Sequence, residues 1–360
     1  MPRVTLPRFD LTWGEALSEF VTALAWSPDG QCLVVSSAAG EIRCWQRATQ
    51  RPQTLQVGDG QAINALAFSA DGRYLAAGGQ SGNLGIWAMA ADSANLLLCL
   101  KNPHTWVDQL AWSPHGPELA FSLGRYAQVW DMAAQTVSAT LSLETSSVLG
   151  LAWHPSQPRL AVAGHQGVKI WCQTDWFADP DWRELPTASM AIAWSPEGNY
   201  LAAGNLDRTL MVWPCDSGMP WRMTGFPGKV RHLAWSDQRG KEDPWLAVAS
   251  GPGVMVWRKR PWQGQDWSAT VLDQHLDRVT GLAFQPGSTL LASAGNDGEL
   301  LIWQQGTRLH QRLTGAPQGF SGLAWSPDGR LLAAGGTQGE WRIWSSSTAG
   351  QGFSPGQSRP

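Results

Sequence analysis

The chain has 360 residues, 43% of them hydrophobic and 15% charged, with 39 Gly, 23 Pro and a net charge of −3. That balance gives no reason to expect a nucleic-acid or anionic-membrane partner, and the amount of Gly and Pro fits short strands joined by tight turns. Five cysteines, an odd number with no CxxC pair, argue against a zinc site or a disulfide framework and suggest free thiols in a cytoplasmic protein.

The N-terminal segment has no basic start followed by an apolar stretch, so it does not read as a secretory signal. Its residues Arg8–Trp13 alternate, with Phe9, Leu11 and Trp13 expected on one face. A repeat begins at Leu24-Ala25-Trp26-Ser27-Pro28-Asp29-Gly30 and recurs at Leu66, Leu110, Leu151, Ile192, Leu233, Leu282 and Leu323. Its aromatic positions are 26, 68, 112, 153, 194, 235, 284 and 325, spaced by 42, 44, 41, 41, 41, 49 and 41 residues. A second anchor follows each first one: Trp45, Trp87, Trp130, Trp171, Trp213, Trp257, Trp303 and Trp344.

Each unit reads as strands. In the last, Gly322–Trp325 is a short alternating strand and Pro327-Asp328-Gly329 a turn. Leu331–Gly336 is a second strand and Trp341–Trp344 a third. Variable stretches such as 54–57, 95–100, 136–143 and 268–272 supply fourth strands. In every first strand the apolar residue and the aromatic share one face, while an Ala between them faces the other way. A bulky face can then mate with a small-residue face of the next sheet. Eight such sheets give an all-β, eight-bladed β-propeller of four-stranded antiparallel sheets. Fourteen of the 23 Trp sit at the anchors, so the Trp excess is architectural. The eighth unit lacks a fourth strand of its own, and Arg8–Trp13 is expected to supply it and close the ring. A single propeller is expected over residues 1–344, followed by a disordered polar tail over 345–360.

The period, the block at Leu24–Gly30 and the block Leu291–Trp303 (LASAGNDGELLIW) resemble the WD-repeat (WD40) propellers, over about residues 8–344. The resemblance implies a hydrogen-bonded structural network in the seventh unit made by His275, Ser293, Asp297 and Trp303. It also implies a non-catalytic protein–protein interaction scaffold or assembly factor, with no cofactor and with other proteins or peptides as partners. The chain departs from the family in having one Trp-Asp pair, Trp130-Asp131, and eight units where the family usually has seven.

No phosphate-binding loop, HExxH, GxSxG or calcium-loop motif is present. An enzyme or small-ligand binder using the central channel is the alternative reading, and convergent His, Asp or Glu at the channel mouth would favour it. Family register places exposed residues where the chain runs into each first strand. An apolar arc of Phe20, Trp106, Leu149 and Met190, with Asp108 beside Trp106, and a cationic arc of Lys229, Arg231 and Arg278 would suit a peptide carrying acidic and apolar residues. The sixth unit is locally basic, with Arg258, Lys259, Arg260, Arg239 and Lys241. Trp176, Trp182, Trp262 and Trp267 are candidates for a separate outer-rim surface.

Overall fold

In a computed structural model the described residues are 7–90, 93–144, 146–215, 219–237, 243–259 and 267–347. They form eight four-stranded antiparallel sheets and no helix. Each sheet is one blade, and in blades 1 to 7 the strands follow in sequence from the innermost outward. In blade 1 these are Val21–Trp26, Cys32–Ser37, Ile42–Gln46 and Arg51–Gln56. The innermost strands of blades 2 to 8 are Ile63–Phe68, Leu110–Trp112, Gly150–Trp153, Ser189–Trp194, Val230–Trp235, Val279–Phe284 and Phe320–Trp325.

The hydrophobic core is divided among eight clusters, one at each seam between neighbouring blades. Between blades 8 and 1, Leu24 and Trp26 pack against Ala324 and Ala333. Between blades 3 and 4, Leu151 and Trp153 meet Ala111 and Ala120, and between blades 7 and 8, Leu323 and Trp325 meet Ala283 and Ala292. Large side chains of one inner strand fill the space left by the alanines of the preceding blade, as the alternation requires.

The alanine has a second role that composition does not reveal. Each first-anchor indole donates a hydrogen bond to the carbonyl of that alanine in the preceding blade: Trp26 to Ala324, Trp112 to Ala67, Trp153 to Ala111, Trp194 to Ala152, Trp235 to Ala193 and Trp325 to Ala283, all at 2.9–3.2 Å. Blades 2 and 7 carry Phe68 and Phe284 instead, so the seams between blades 1 and 2 and between blades 6 and 7 lack this bond.

Closure uses the N-terminal strand Arg8–Ala16, the outermost strand of blade 8. It pairs antiparallel with Glu340–Ser347 from Arg8↔Ser347 to Ala16↔Glu340. The expected single face for Phe9, Leu11 and Trp13 does not form. The register shifts between Leu11 and Trp13, and the extra residue, Thr12, reverses the alternation. Phe9 is buried at the seam between blades 7 and 8, with its ring 5.1 Å from that of Trp325. Trp13 packs at the other seam, 4.2 Å from Trp341 and 6.0 Å from Trp45. Leu11 is left 55% exposed. Gln311 of blade 7 brackets Phe9, its side chain accepting from the Phe9 N–H at 2.9 Å and donating to the Phe9 carbonyl at 2.8 Å.

Two further expectations are corrected. The last strand continues through Ser347, because Ser345–Ser347 find partners on Arg8–Asp10, so the expected tail from 345 is paired at its start. Residues 348–360 lie outside the described residues. Cys32 and Cys44 are not free. They sit on adjacent strands of blade 1, their Cα atoms 6.5 Å apart, and their sulfurs are paired, whereas Cys99 and Cys172 are free.

Candidate functional site

The polar network of blade 7 forms around Ser293. The Trp303 indole donates to Ser293 Oγ at 2.8 Å, and Ser293 Oγ lies 2.8 Å from His275 Nε2. His275 Nδ1 lies 3.0 Å from Asp297 Oδ2. One arrangement satisfies all four groups: the hydroxyl donates to Nε2 while Nδ1–H donates to the carboxylate. Burial works to raise the Asp297 carboxyl. The N–H groups of Leu276 and Glu299, with the His275 ring, outweigh it and hold the carboxyl below the usual aspartate range. The network sits within the blade, with His275 and Ser293 buried.

The other blades cannot build it. The cross-strand position that Ser293 occupies opposite Leu282 is taken by Val35, Ala77, Phe121, Val162, Ala203, Val248 and Ala334. With no hydroxyl to receive them, the indole N–H groups of Trp45, Trp130 and Trp257 are buried without a partner.

The residues expected to meet a partner lie at one end of the ring, beside the residue five before each first anchor. That residue is buried in all eight blades (Val21, Ile63, Val107, Val148, Ser189, Val230, Val279 and Phe320). Phe20, Trp106 and Met190 are 38%, 55% and 45% exposed. Leu149 is half-buried, its N–H bonded to the Ala163 carbonyl at 2.8 Å. Asp108 is engaged within the face, accepting from Asn64 Nδ2 at 2.7 Å. Lys229, Arg231 and Arg278 are exposed.

The structure gathers only part of this set. A cavity of about 210 Å³ at the channel wall is lined by Met190, Arg231 and His232 together with Leu151, Ile192 and Leu233. A second, also about 210 Å³, lies between blades 6 and 7 and is lined by Lys229, Arg231, His232 and Arg278. Phe20, Trp106, Asp108 and Leu149 line neither cavity and stand apart around the ring. His232 was not among the expected residues, because a His inside the run Lys229–His232 carries no motif. Its imidazole is pushed down to about 4 by burial and by the charges of Arg231 and Arg278, so it is neutral at pH 7.

Of the remaining basic residues of blade 6, the two that are described, Arg258 and Lys259, lie against aromatic rings. Arg258 stacks over the Trp245 ring at 3.5 Å. Lys259 lies 4.5 Å from the Tyr200 ring and 5.2 Å from that of Trp221, bonds the Tyr200 hydroxyl, and has the Asp243 carboxylate at 3.9 Å. Trp235 and Trp267 complete this box of rings at the seam between blades 5 and 6. Of the outer-rim candidates, Trp267 is thus occupied and Trp176 packs on Trp153, while Trp182 is exposed over Gly167. Trp262, Arg260, Arg239 and Lys241 lie outside the described residues.

Among the described residues no three His, Cys, Asp or Glu side chains gather as a metal site, and no helix is long and apolar enough to cross a membrane.

Comparison with known proteins matches the family model "WD domain, G-beta repeat" to residues 12–46, 51–88, 135–172, 187–214, 267–304 and 307–345, more than half of the chain. Five of the six matched repeats are offset from the blades by one strand, so the first begins in the closing strand, while 187–214 covers three strands of blade 5 alone. Among curated relatives, Protein HIR1 of Yarrowia lipolytica is 28% identical over 133 residues, 32% of this chain and 12% of the relative. Protein transport protein SEC13 homolog A of Arabidopsis thaliana is 29% identical over 112 residues, 29% of this chain and 36% of the relative. Anaphase-promoting complex subunit cdc20 of Dictyostelium discoideum is 29% identical over 114 residues, 31% of this chain and 21% of the relative. The chain therefore spans about a third or less of these relatives.

Proposed function

Starting from the fact that this chain belongs to the WD40 family of β-propellers, we propose that it is a non-catalytic scaffold or assembly factor that receives a partner protein at the channel mouth. The observation that carries this reading is the presence, at one end of the ring, of exposed apolar side chains together with cations that form no ion pair among the described residues. Phe20, Trp106 and Met190 offer aromatic and thioether surface. None of Lys229, Arg231 and Arg278 makes an ion pair among the described residues. A peptide with apolar residues beside acidic ones is complementary to both arcs. One of the relatives is named as a subunit of a larger assembly, the anaphase-promoting complex, which agrees with a scaffold. The ionisable side chains lining the two channel-mouth cavities are three cations and a neutral imidazole, with no carboxylate among them to act as a general base.

The test is affinity capture with quantitative mass spectrometry, comparing the native chain with a Trp106→Ala, Arg231→Ala double variant. Both side chains are exposed, so the fold should persist, and proteins specific to the native chain should fall at least about tenfold. Recovery of the same proteins in the same amounts would place the interaction elsewhere.

A further inference from the structure

We propose that the cleft between blades 6 and 7 at the channel mouth receives a phosphate monoester carried by the partner. The inference rests on reading this face as the partner's, and it names the chemistry of one contact there.

Three elements converge to make the cleft. Lys229 and Arg231 flank the buried Val230, and both line the cleft. Val279, also buried, donates its N–H to the Gly251 carbonyl at 2.9 Å. That bond docks the inner strand of blade 7 on the second-strand turn of blade 6 and brings Arg278 onto the pair. Together they line a space of about 210 Å³ whose inner wall is His232 and Ala249.

The charge in this space is one-signed. Its ionisable lining is Lys229, Arg231, His232 and Arg278, and the neighbouring cavity adds none. The nearest carboxylate in sequence, Asp277, is already committed. Its Oδ1 accepts from the Arg278 backbone at 2.6 Å and its Oδ2 from Asn296 at 2.8 Å. A single carboxylate would leave two of the three cations uncompensated. A phosphate monoester carries about −1.5 to −2 charges at neutral pH and three terminal oxygens, enough for two guanidinium groups and an ammonium at once. The second cavity shares Arg231 and His232 and continues along Leu151, Ile192 and Leu233, an apolar path for the side chains that flank the phosphate.

His232 supplies an internal reporter. In the free protein it resists protonation because it is buried and, in addition, because the charges of Arg231 and Arg278 lie close to it. A dianion seated between those arginines offsets their field, so the ring takes up a proton at higher pH than before.

The experiment is titration of the full chain with O-phospho-L-serine, followed by calorimetry and by the ring resonances of His232. Saturable binding is expected, with the His232 midpoint displaced upward from about 4. Arg231→Gln and Arg278→Gln should each weaken binding about tenfold or more, and N-acetylglutamate should bind at least about tenfold less tightly than phosphoserine. Unperturbed His232 resonances, equal affinity in the arginine variants, or equal affinity for the carboxylate would each overturn the proposal. Phosphoserine binding without loss of partners in the double variant would sink the partner-face reading alone. Partner loss without phosphoserine binding would sink only the phosphate site.

Discussion

One hydroxyl group decides whether a blade can organise its polar interior. Ser293 accepts from the Trp303 indole and serves His275 on its other side, which in turn fixes Asp297. In blades 2, 5 and 8 the same cross-strand position is alanine, and those blades fold without the network. Ser293→Ala should therefore preserve the blade while leaving the indole N–H and an imidazole nitrogen unpaired in the core. That costs about 2–3 kcal/mol, read as a lower urea midpoint with an unchanged slope. Ser293→Thr keeps the hydroxyl and should lose less than half as much. The four residues were legible in the sequence because blade 7 matches the family pattern most fully. The reason the other blades abandon the pattern was not legible there, since it depends on what faces each Trp across two strands.

At the scale of single strands, the repeated Ala-Trp dipeptide carries more than shape. Its alanine receives the indole of the following blade both as a small surface and through its carbonyl. Replacing Trp112 by Phe should remove the bond to Ala67 and cost about 1–2 kcal/mol, measured by thermal or chemical unfolding. The same change at Trp153 should cost about as much. The reverse change, Phe68→Trp, places a donor where the blade 1 carbonyl of Ala25 waits. Strand positions were readable from alternation almost residue by residue: the expected strand 331–336 is observed as Leu331–Gly336, and 268–272 as Trp267–Leu272. Faces were readable only where alternation ran unbroken. A single inserted residue, Thr12, sends Phe9 and Trp13 to opposite seams, and no periodicity in RFDLTW announces it. Lys259 escaped in the same way. It reads as part of a basic surface run, yet the rings that enclose it come from four strands spread over residues 200–267.

The whole ring depends on its two ends. The strand Arg8–Ala16 is the only part of the N-terminal region within blade 8, and it contributes aromatic rings to both seams of that blade. Removal of residues 1–13 should lower the melting temperature by about 10 °C or more, because two aromatic side chains lose their burial and a sheet edge is laid open. An unchanged melting temperature would mean that closure lies elsewhere. The blade count was legible from eight paired anchors alone. The proposed partner face was legible as positions but not as a surface, because Phe20 and Trp106 prove to be separated by a full blade while Lys229, Arg231 and Arg278 converge.

The two phenylalanine seams give the ring an uneven grip. Six joints are latched by an indole, and the joint between blades 6 and 7 is one of the two that are not. The same joint holds the cleft bordered by Arg231 on one side and Arg278 on the other. Whatever anion grips both arginines fastens across that loose joint a clasp of its own. Occupancy would then be felt as stiffness around the circle, and the scaffold would be firmer when loaded than when empty.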